Sequence, residues 1–285
     1  MQHDLDGACL NWMISIRRTL HRHPELSWTE QQTTSLIIDR LFDLGIRAQR
    51  IDGITGVIAD IQGLPESPLI ALRASIDAVL VQEESRFEFA SNVKTCMHAC
   101  AHDGHTAMLL GAARLLSMHQ PLPISVRLIF QPAEELGTGA KALIDRGVLQ
   151  DVAMIFSGHL DEHYRNGTIV VEPPYHLNDS DSVEIARKVA IELLGKKHVL
   201  DPGQASMGDQ DFTCYLEKVA GGYVRFGAKK EEQKDSPAHS SRFDFDEHTL
   251  ALGASFYYAV ALAAGRTLSR TAPVKLKGVG NALHK

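Results

Sequence analysis

The sequence predicts an α/β fold, a three-layer α/β/α sandwich around a central, largely parallel mixed sheet. Two observations lead to this prediction. Apolar runs of strand length alternate with segments whose apolar residues recur at helical spacing. No internal repeat or low-complexity linker divides the chain, which favours a single domain over residues 1–285.

The first half of the chain begins this alternation with a helix. Ser27 and Glu30 have the spacing of a capping box, the following apolar residues recur at helical intervals, and Gly45 ends the helix. Short runs rich in Val, Ile and Leu then predict strands. The elements that follow are strands at 56–61 and 69–74, a helix around 108–116 and a strand at 126–130.

The second half continues the same pattern. Glycines that end helices stand at Gly147 and Gly195, directly after two helical segments. The predicted elements are a short helix at 140–145, a strand at 152–156, a helix at 183–193, a strand at 223–226 and a long final helix at 247–266.

The composition excludes several classes of function. With 29 basic and 35 acidic residues the formal net charge is −6, so the chain lacks the basic surface that nucleic acid or an anionic membrane requires. Its apolar runs are far shorter than the roughly 20 residues of a membrane span. Asp4 and Asp6 interrupt the start, where a signal peptide would be apolar, so we expect a cytoplasmic protein. Four cysteines are too few for a disulfide scaffold, whereas 14 histidines favour metal chemistry.

Polar side chains follow three of the predicted strands. Asp77 comes just after one strand, Glu134 and Glu135 follow a second, and His159 follows a third. Ligands of open α/β sheets collect at the carboxyl ends of strands. We therefore expect these groups to meet at one edge of the sheet.

The densest cluster of candidate ligands lies at 97–105, where Cys100 and His102 stand two positions apart at the start of a helix. A thiolate and an imidazole bind borderline-soft divalent metals. Taken alone, the pair is more typical of a histidine-rich turn with an ordinary thiol, but the groups at other strand ends favour a metal site. Asp103 would either orient an imidazole or cap the helix.

The adjacent carboxylates Glu134 and Glu135 can take different roles, one as a ligand and one as a general base. His239 lies on a loop before the last helix, where a lone histidine is usually solvated. Asp77 alone would be an ordinary turn residue. His163 is expected at the surface.

These stretches, in this order, resemble the amidohydrolase branch of the dinuclear-metal aminoacylase and carboxypeptidase family. That branch includes hippurate hydrolases, auxin-conjugate hydrolases and N-acetyl-diaminopimelate deacetylases, and its catalytic domain has a zinc-exopeptidase-like fold. The matching stretches run along nearly the whole chain, at 20–26, 98–105, 130–135, 158–159, 206–208 with 211–212, and 238–240 before 243–244.

The resemblance implies two divalent ions, drawn from Mn²⁺, Zn²⁺, Ni²⁺ and Co²⁺, and a small N-acyl amino acid as substrate. A metal-activated water, deprotonated by Glu134 as general base, would attack the amide carbonyl. Asp77 would hold a ligand histidine in its binding tautomer. The implied metal ligands are Cys100, which would bridge the ions, His102, Glu135, His159 and His239.

The chain departs from the family pattern in two ways. Ser75, Leu80 and Ala101 stand where the family usually has an acid, a proline and a glycine. The family's inserted lid and dimerisation domain is absent at about 170–173, so the family dimer is not expected. Two alternatives to an amidohydrolase remain open, a non-catalytic or weakly active metal-binding remnant and, less favoured, a cysteine-nucleophile hydrolase that uses Cys100.

Overall fold

A computed structural model describes residues 6–173, 179–202, 210–230 and 236–271. The strands are β1 (Ala48–Arg50), β2 (Val57–Ile61), β3 (Leu69–Ser75), β4 (Ser125–Gln131), β5 (Val152–Arg165), β6 (Ile169–Val171), β7 (Val199–Leu200) and β8 (Ala220–Lys229). The helices are α1 (Gly7–Arg22), α2 (Gln31–Asp43), α3 (His102–Met118), α4 (Gly139–Ile144), α5 (Ser180–Leu194), α6 (Gln210–Leu216) and α7 (Thr249–Thr271), with a short 3₁₀ turn at Lys196–His198.

The strands form one mixed sheet in the order β1-β2-β4-β3-β5-β8-β6-β7. The four central strands, from β4 to β8, run parallel to one another. Strands β2 and β6 are antiparallel to the edges of this parallel group. The central strands are buried on both faces, as parallel strands covered by helices must be.

Helices cover both faces of the sheet. Apolar residues of α1, α2, α3, α5 and α7 pack in one core cluster. A second cluster on the opposite face joins α4 and α6 to strand residues such as Ile129 and Ile155. This arrangement confirms the predicted three-layer α/β/α sandwich. Among the described residues, no helix combines the length and apolar character needed to cross a membrane.

The predicted capping box before α2 is wrong. The helix begins at Gln31, and Glu25 caps it by accepting hydrogen bonds from the backbone N–H groups of Gln32 and Thr33, at 3.0 and 2.9 Å. Ser27 instead donates its hydroxyl to a carboxylate in a neighbouring loop. The spacing of a capping box is therefore present without its local bond, because both side chains have tertiary partners.

Strand β5 is longer than its predicted range and contains His159 rather than preceding it. Its pairing with β3 ends at the register Arg73 to Ser157, but its pairing with β8 continues to Arg165. Gly158 permits this, since a Cβ there would lie 2.5 Å from the ring of Phe226. Helices α1 and α6 and the short strands β1, β6 and β7 were also not predicted.

Candidate metal centre

The candidate site lies at the carboxyl edge of the parallel strands, as expected. Asp77 lies in the loop after β3, and Glu134 and Glu135 lie in the loop after β4. The backbone N–H of Glu135 donates to Asp77 Oδ2 at 3.0 Å, which joins these two loops. Helix α3 begins beside them with His102.

Three of the predicted ligands converge. The thiol of Cys100, the ring of His102 and the carboxylate of Glu135 present ligand atoms that all lie within 4.8 Å of one another. Oε1 of Glu135 is buried without a hydrogen-bond donor, and the only donor near the buried Oδ1 of Asp77 among the described residues is the ring of His102, at 3.3 Å. Buried carboxylate oxygens are normally satisfied, so a cation beside them is chemically suited to this cluster. Thiolate, imidazole and carboxylate together form a donor set that fits a divalent transition metal.

The orientation of His102 follows from its Nδ1 atom. Nδ1 donates to the backbone carbonyl of Asp77 at 2.8 Å and lies 3.3 Å from the carboxylate of the same residue. In the neutral ring the lone pair is therefore on Nε2, the nitrogen nearer the two glutamates. Burial disfavours the charged ring, but Cys100 and the hydrogen bond with Asp77 outweigh it, and the pKa of His102 lies well above its ordinary value.

The two glutamates differ in their surroundings. Glu135 Oε1 lies 3.8 Å from His102 Nε2, and Oε2 lies 3.3 Å from His239 Nε2. Burial raises the pKa of Glu135, but the hydrogen bond with His239 and the nearby charges reverse the effect and lower it. Glu134 is outside the converging group, with Oε2 at 3.6 Å from His102 Nε2.

His239 reaches the site from a half-exposed loop between β8 and α7. Its backbone has φ of 67°, and its N–H donates to the carbonyl of Ala99 at 2.7 Å, one residue before Cys100. Hydrogen bonds with Cys100 and Glu135 raise the pKa of His239 to about 10. Glu135 and Cys100 therefore favour a positive charge beside the ring of His239, which either a proton or a metal ion can supply.

His159 is not part of the converging group within the described ranges. The ring of His105 neighbours both His159 and His102, with centroid distances of 4.8 and 5.3 Å. His105 accepts a hydrogen bond from the N–H of Leu160 at Nε2, at 3.0 Å. The structure thus places His159 in β5, next to His105, and its role as a ligand stays a prediction.

A buried network of charged side chains joins α1 to the start of α3, and the sequence analysis did not predict it. Asp103 accepts from His21 Nδ1 at 2.8 Å and from Arg17 Nε at 2.9 Å, so it orients the imidazole of His21 rather than that of a predicted ligand. Arg17 also reaches Asp244 and Glu247. The matched stretch at 20–26 contains His21 and was the one sequence signal for this network. Arg17 lies on α1, which was not predicted, so nothing in the sequence indicated that this arginine is buried.

The backbone at Ala101 shows why the family usually has a glycine at this position. Ala101 precedes α3 with φ of 60°, in the left-handed region that favours glycine. His163 is at the surface, as predicted, with its ring 74% exposed. The matched stretch 206–208 lies outside the described residues, as does 174–178.

Several known proteins are similar to this chain. A family model described as peptidase family M20/M25/M40 matches residues 71–263. N-acetylcysteine deacetylase of Bacillus subtilis is 43% identical over 185 residues, which cover 64% of this chain and 49% of that protein. IAA-amino acid hydrolase ILR1-like 5 of Arabidopsis thaliana is 45% identical over 151 residues, which cover 53% of this chain and 34% of that protein. The chain thus spans half or less of the length of these curated relatives.

A solved structure is similar over a larger part of the chain. The Bacillus subtilis YXEP protein, described as a dinuclear metal binding peptidase from the M20 family, superposes with a TM-score of 0.83 at 26% identity. The superposition covers 92% of this chain and 99% of that chain. Together with the family model, which matches more than half of the sequence, these similarities confirm the family resemblance: the chain belongs to peptidase family M20/M25/M40.

Proposed function

We propose that the chain is a metal-dependent amidohydrolase that cleaves the amide bond of N-acyl amino acids or small peptides. The convergence of Cys100, His102 and Glu135 within 4.8 Å, beside a second glutamate, carries this proposal. The names of the two curated relatives, an N-acetylcysteine deacetylase and an amino acid conjugate hydrolase, support the substrate class.

Two divalent ions would be held at the carboxyl edge of the sheet, with Mn²⁺, Zn²⁺, Ni²⁺ and Co²⁺ as candidates. The proposed ligands are Cys100, His102, Glu135, His159 and His239. When bound, such ions polarise an amide carbonyl and lower the pKa of a water molecule. Membership of a family with a dinuclear neighbour supports the number of ions.

Glu134 would act as the general base, taking a proton from water and passing it to the leaving amine. Its position supports this role, because its carboxylate lies beside His102 but outside the converging ligand group. Asp77 would keep the Nδ1 proton of His102 in place and leave Nε2 for a metal ion.

We also propose that the chain is one catalytic domain without the family's lid and dimerisation domain. Strand β6 ends at Val171 and α5 begins at Ser180, so only residues 172–179 connect them. The family resemblance implies that the lid and dimerisation domain helps to position the substrate and supplies an oxyanion donor. Loss of one such donor typically lowers turnover about 10²–10³-fold. We expect a monomer or an unrelated dimer with weak hydrolysis, which solution mass and an assay on N-acyl amino acids would test. Family-like turnover by a monomer would contradict this expectation.

The two glutamates provide the decisive experiment. Glu134→Gln should retain metal and lose about 10²–10⁴-fold in turnover, because it removes the proton acceptor. Glu135→Gln should lose metal affinity first. Metal content and hydrolysis of a panel of N-acyl amino acids are measured for both, with Glu184→Gln on the exposed surface of α5 as the matched control. Normal turnover by Glu134→Gln would refute the general-base role.

The alternatives differ in their response to Cys100→Ala and to chelation. A bridging thiolate predicts that Cys100→Ala loses at least one ion, and unchanged metal content in that variant would refute the ligand assignment. Chelation should abolish hydrolysis by a metal-dependent enzyme and leave a cysteine-nucleophile hydrolase active. A protein that binds metal but hydrolyses no member of the panel would be the non-catalytic remnant.

A further inference from the structure

The segment 131–140, from the last residue of β4 to the first turn of α4, carries Glu134 and Glu135 and is named the glutamate loop. Its backbone has little freedom to change shape. Ala133 has φ of 52°, in the left-handed region, and a Cβ on Gly139 would lie 1.8 Å from the carbonyl oxygen of Pro132. A strained loop of this kind persists only when its surroundings hold it.

Three buried carboxylates hold the glutamate loop by its backbone N–H groups. Glu30 accepts from Ala133 at 2.9 Å, and Asp77 accepts from Glu135 at 3.0 Å. Asp211 accepts from Ala140 at 3.0 Å. Glu30, Asp77 and Asp211 are each at most 2% exposed. They come from the start of α2, the end of β3 and α6, so three separate parts of the chain converge on one loop.

Asp211 connects both ends of the loop. Its Oδ1 binds the N–H of Ala140 at the end, and its Oδ2 accepts from the side-chain amide of Gln131 at the beginning. The orientation of that amide is determined, because Gln131 Oε1 accepts from Arg73 Nε at 2.8 Å and from the hydroxyl of Tyr215 at 3.0 Å. Gln131 therefore has to donate toward Asp211.

Glu30 holds the middle of the loop. Its second oxygen accepts from the hydroxyl of Thr55 at 2.5 Å, so both carboxylate oxygens have donors in the interior. The residue it binds, Ala133, is the strained residue directly before Glu134. Loss of this hydrogen bond would release the backbone strain at Ala133, directly before the two glutamates.

We propose that Glu30 and Asp211 are positioning residues that set the placement of Glu134 and Glu135 through the backbone of the glutamate loop. This inference rests on the proposed function of those two glutamates. Neither Glu30 nor Asp211 belongs to the proposed ligand set. Displacement of the loop would change ion affinity through Glu135 and proton transfer through Glu134.

An exchange of hydrogen-bond polarity tests Asp211. In Asp211→Asn one carboxylate oxygen becomes an NH2 group, which faces either the amide of Gln131 or the N–H of Ala140, donor against donor. The clamp, meaning the contacts of Asp211 with both ends of the loop, therefore opens. Gln131→Glu in the same chain supplies an acceptor again and keeps the formal charge of the parent, while the carboxylate introduced at this position can still accept from Arg73 and Tyr215. The single Gln131→Glu variant places two carboxylates together and should also open the clamp.

The readout is metal affinity, measured by calorimetric titration with Mn²⁺ and by the absorption spectrum with Co²⁺, at a temperature where every variant is folded. Each single variant should bind about 10–100-fold more weakly, the usual effect of losing a group that orients a ligand. The double variant should recover toward the parent affinity and the parent Co²⁺ spectrum. For Glu30, the glutamine variant should stay near the parent, because its amide can accept from Ala133 and donate to Thr55, whereas Glu30→Met should weaken binding.

Asp60→Asn is the matched control. It removes a partly buried carboxylate that binds Arg127, at 2.8 and 2.7 Å, near the opposite end of β4. It should lower the melting temperature without changing metal affinity or the Co²⁺ spectrum. An affinity loss in this control equal to that of Asp211→Asn would show that reduced stability alone explains the effect and would overturn the proposal.

The outcomes separate this proposal from the proposed function. A parent protein that binds metal but hydrolyses no N-acyl amino acid refutes the enzymatic function. The metal affinities of the variants still test the positioning role of Asp211 in that case. A folded Asp211→Asn variant with parent affinity and turnover overturns the positioning role alone. A parent that binds neither Mn²⁺ nor Co²⁺ overturns both.

Discussion

Replacement of Arg17 by methionine should lower the free energy of unfolding by about 3–5 kcal/mol, the usual cost of breaking a buried ion pair by removing one partner. The guanidinium is fully buried and binds Asp103 at 2.9 Å, Asp244 at 2.8 Å and Glu247 at 3.0 Å. Two rings, those of Phe89 and Phe245, also lie against it, with centroids 4.7 and 4.6 Å away.

The expected value corresponds to one broken buried pair rather than to three. Asp103 keeps His21 as a partner and Asp244 keeps Lys230, so neither carboxylate is left alone. Whole domains are stable by about 5–15 kcal/mol, so the loss would be a large fraction of the total. Arg17→Lys should fall between the parent and Arg17→Met, because one ammonium cannot reproduce the fixed fork of three contacts.

Urea denaturation of metal-free protein, followed by circular dichroism, measures these differences. Arg18→Met is the matched control, because Arg18 binds the same Glu247 from the surface with its side chain 48% exposed. Exposed pairs of this kind contribute about 0.2–1 kcal/mol. If Arg17→Met cost no more than Arg18→Met, the conclusion that the buried network stabilises the α1–α3 region would be wrong.

Three further predictions concern pH, packing and metal. Burial lowers the pKa of His21, but hydrogen bonds with Asp103 and Glu83 reverse this and raise it above its ordinary value. Protonated His21 therefore stabilises the fold fully below about pH 6.5, and this stabilisation is lost as pH rises through the folded-state pKa. In urea denaturation, His21→Gln should lower the free energy of unfolding more at pH 6 than at pH 9. Gly139→Ala should weaken Mn²⁺ binding in calorimetry, because its Cβ would lie 1.8 Å from the Pro132 carbonyl oxygen; unchanged affinity would contradict the rigidity of the glutamate loop. Added Mn²⁺ at about 100 times its Kd should stabilise the fold by about 2.7 kcal/mol, and a melting temperature unaffected by Mn²⁺ or chelator would argue against the site.

The layered fold could be predicted because each central element has its own local pattern. The strands at 69–74 and 126–130 are predominantly apolar runs, and the helix around 108–116 has apolar residues at helical spacing. Such patterns need no knowledge of distant residues. Short strands such as β6 were missed because three residues carry too little periodicity.

The residue types in the chain also predicted several groups of the candidate site. Strand ends and matched stretches pointed to Asp77, Glu134 and Glu135, and the structure joins their loops by a hydrogen bond. The ligand roles of all the proposed metal residues stay predictions until metal binding is measured. His159 illustrates the limit, since strand pairing with β8 moved it from a loop into β5.

Only the tertiary structure decided which residues hold the loops of the site in place. Glu30 looked like part of a helix cap, yet it binds Ala133, which lies 103 positions away in the chain. Asp211 reaches the same loop from α6, and Arg17 reaches α3 from α1. A buried carboxylate or guanidinium has the same letter in the sequence as an exposed one, and its partners come from elements distant in the chain. Local pattern therefore determined the central elements and the candidate ligands, while long-range burial and hydrogen bonding decided what holds those ligands in place.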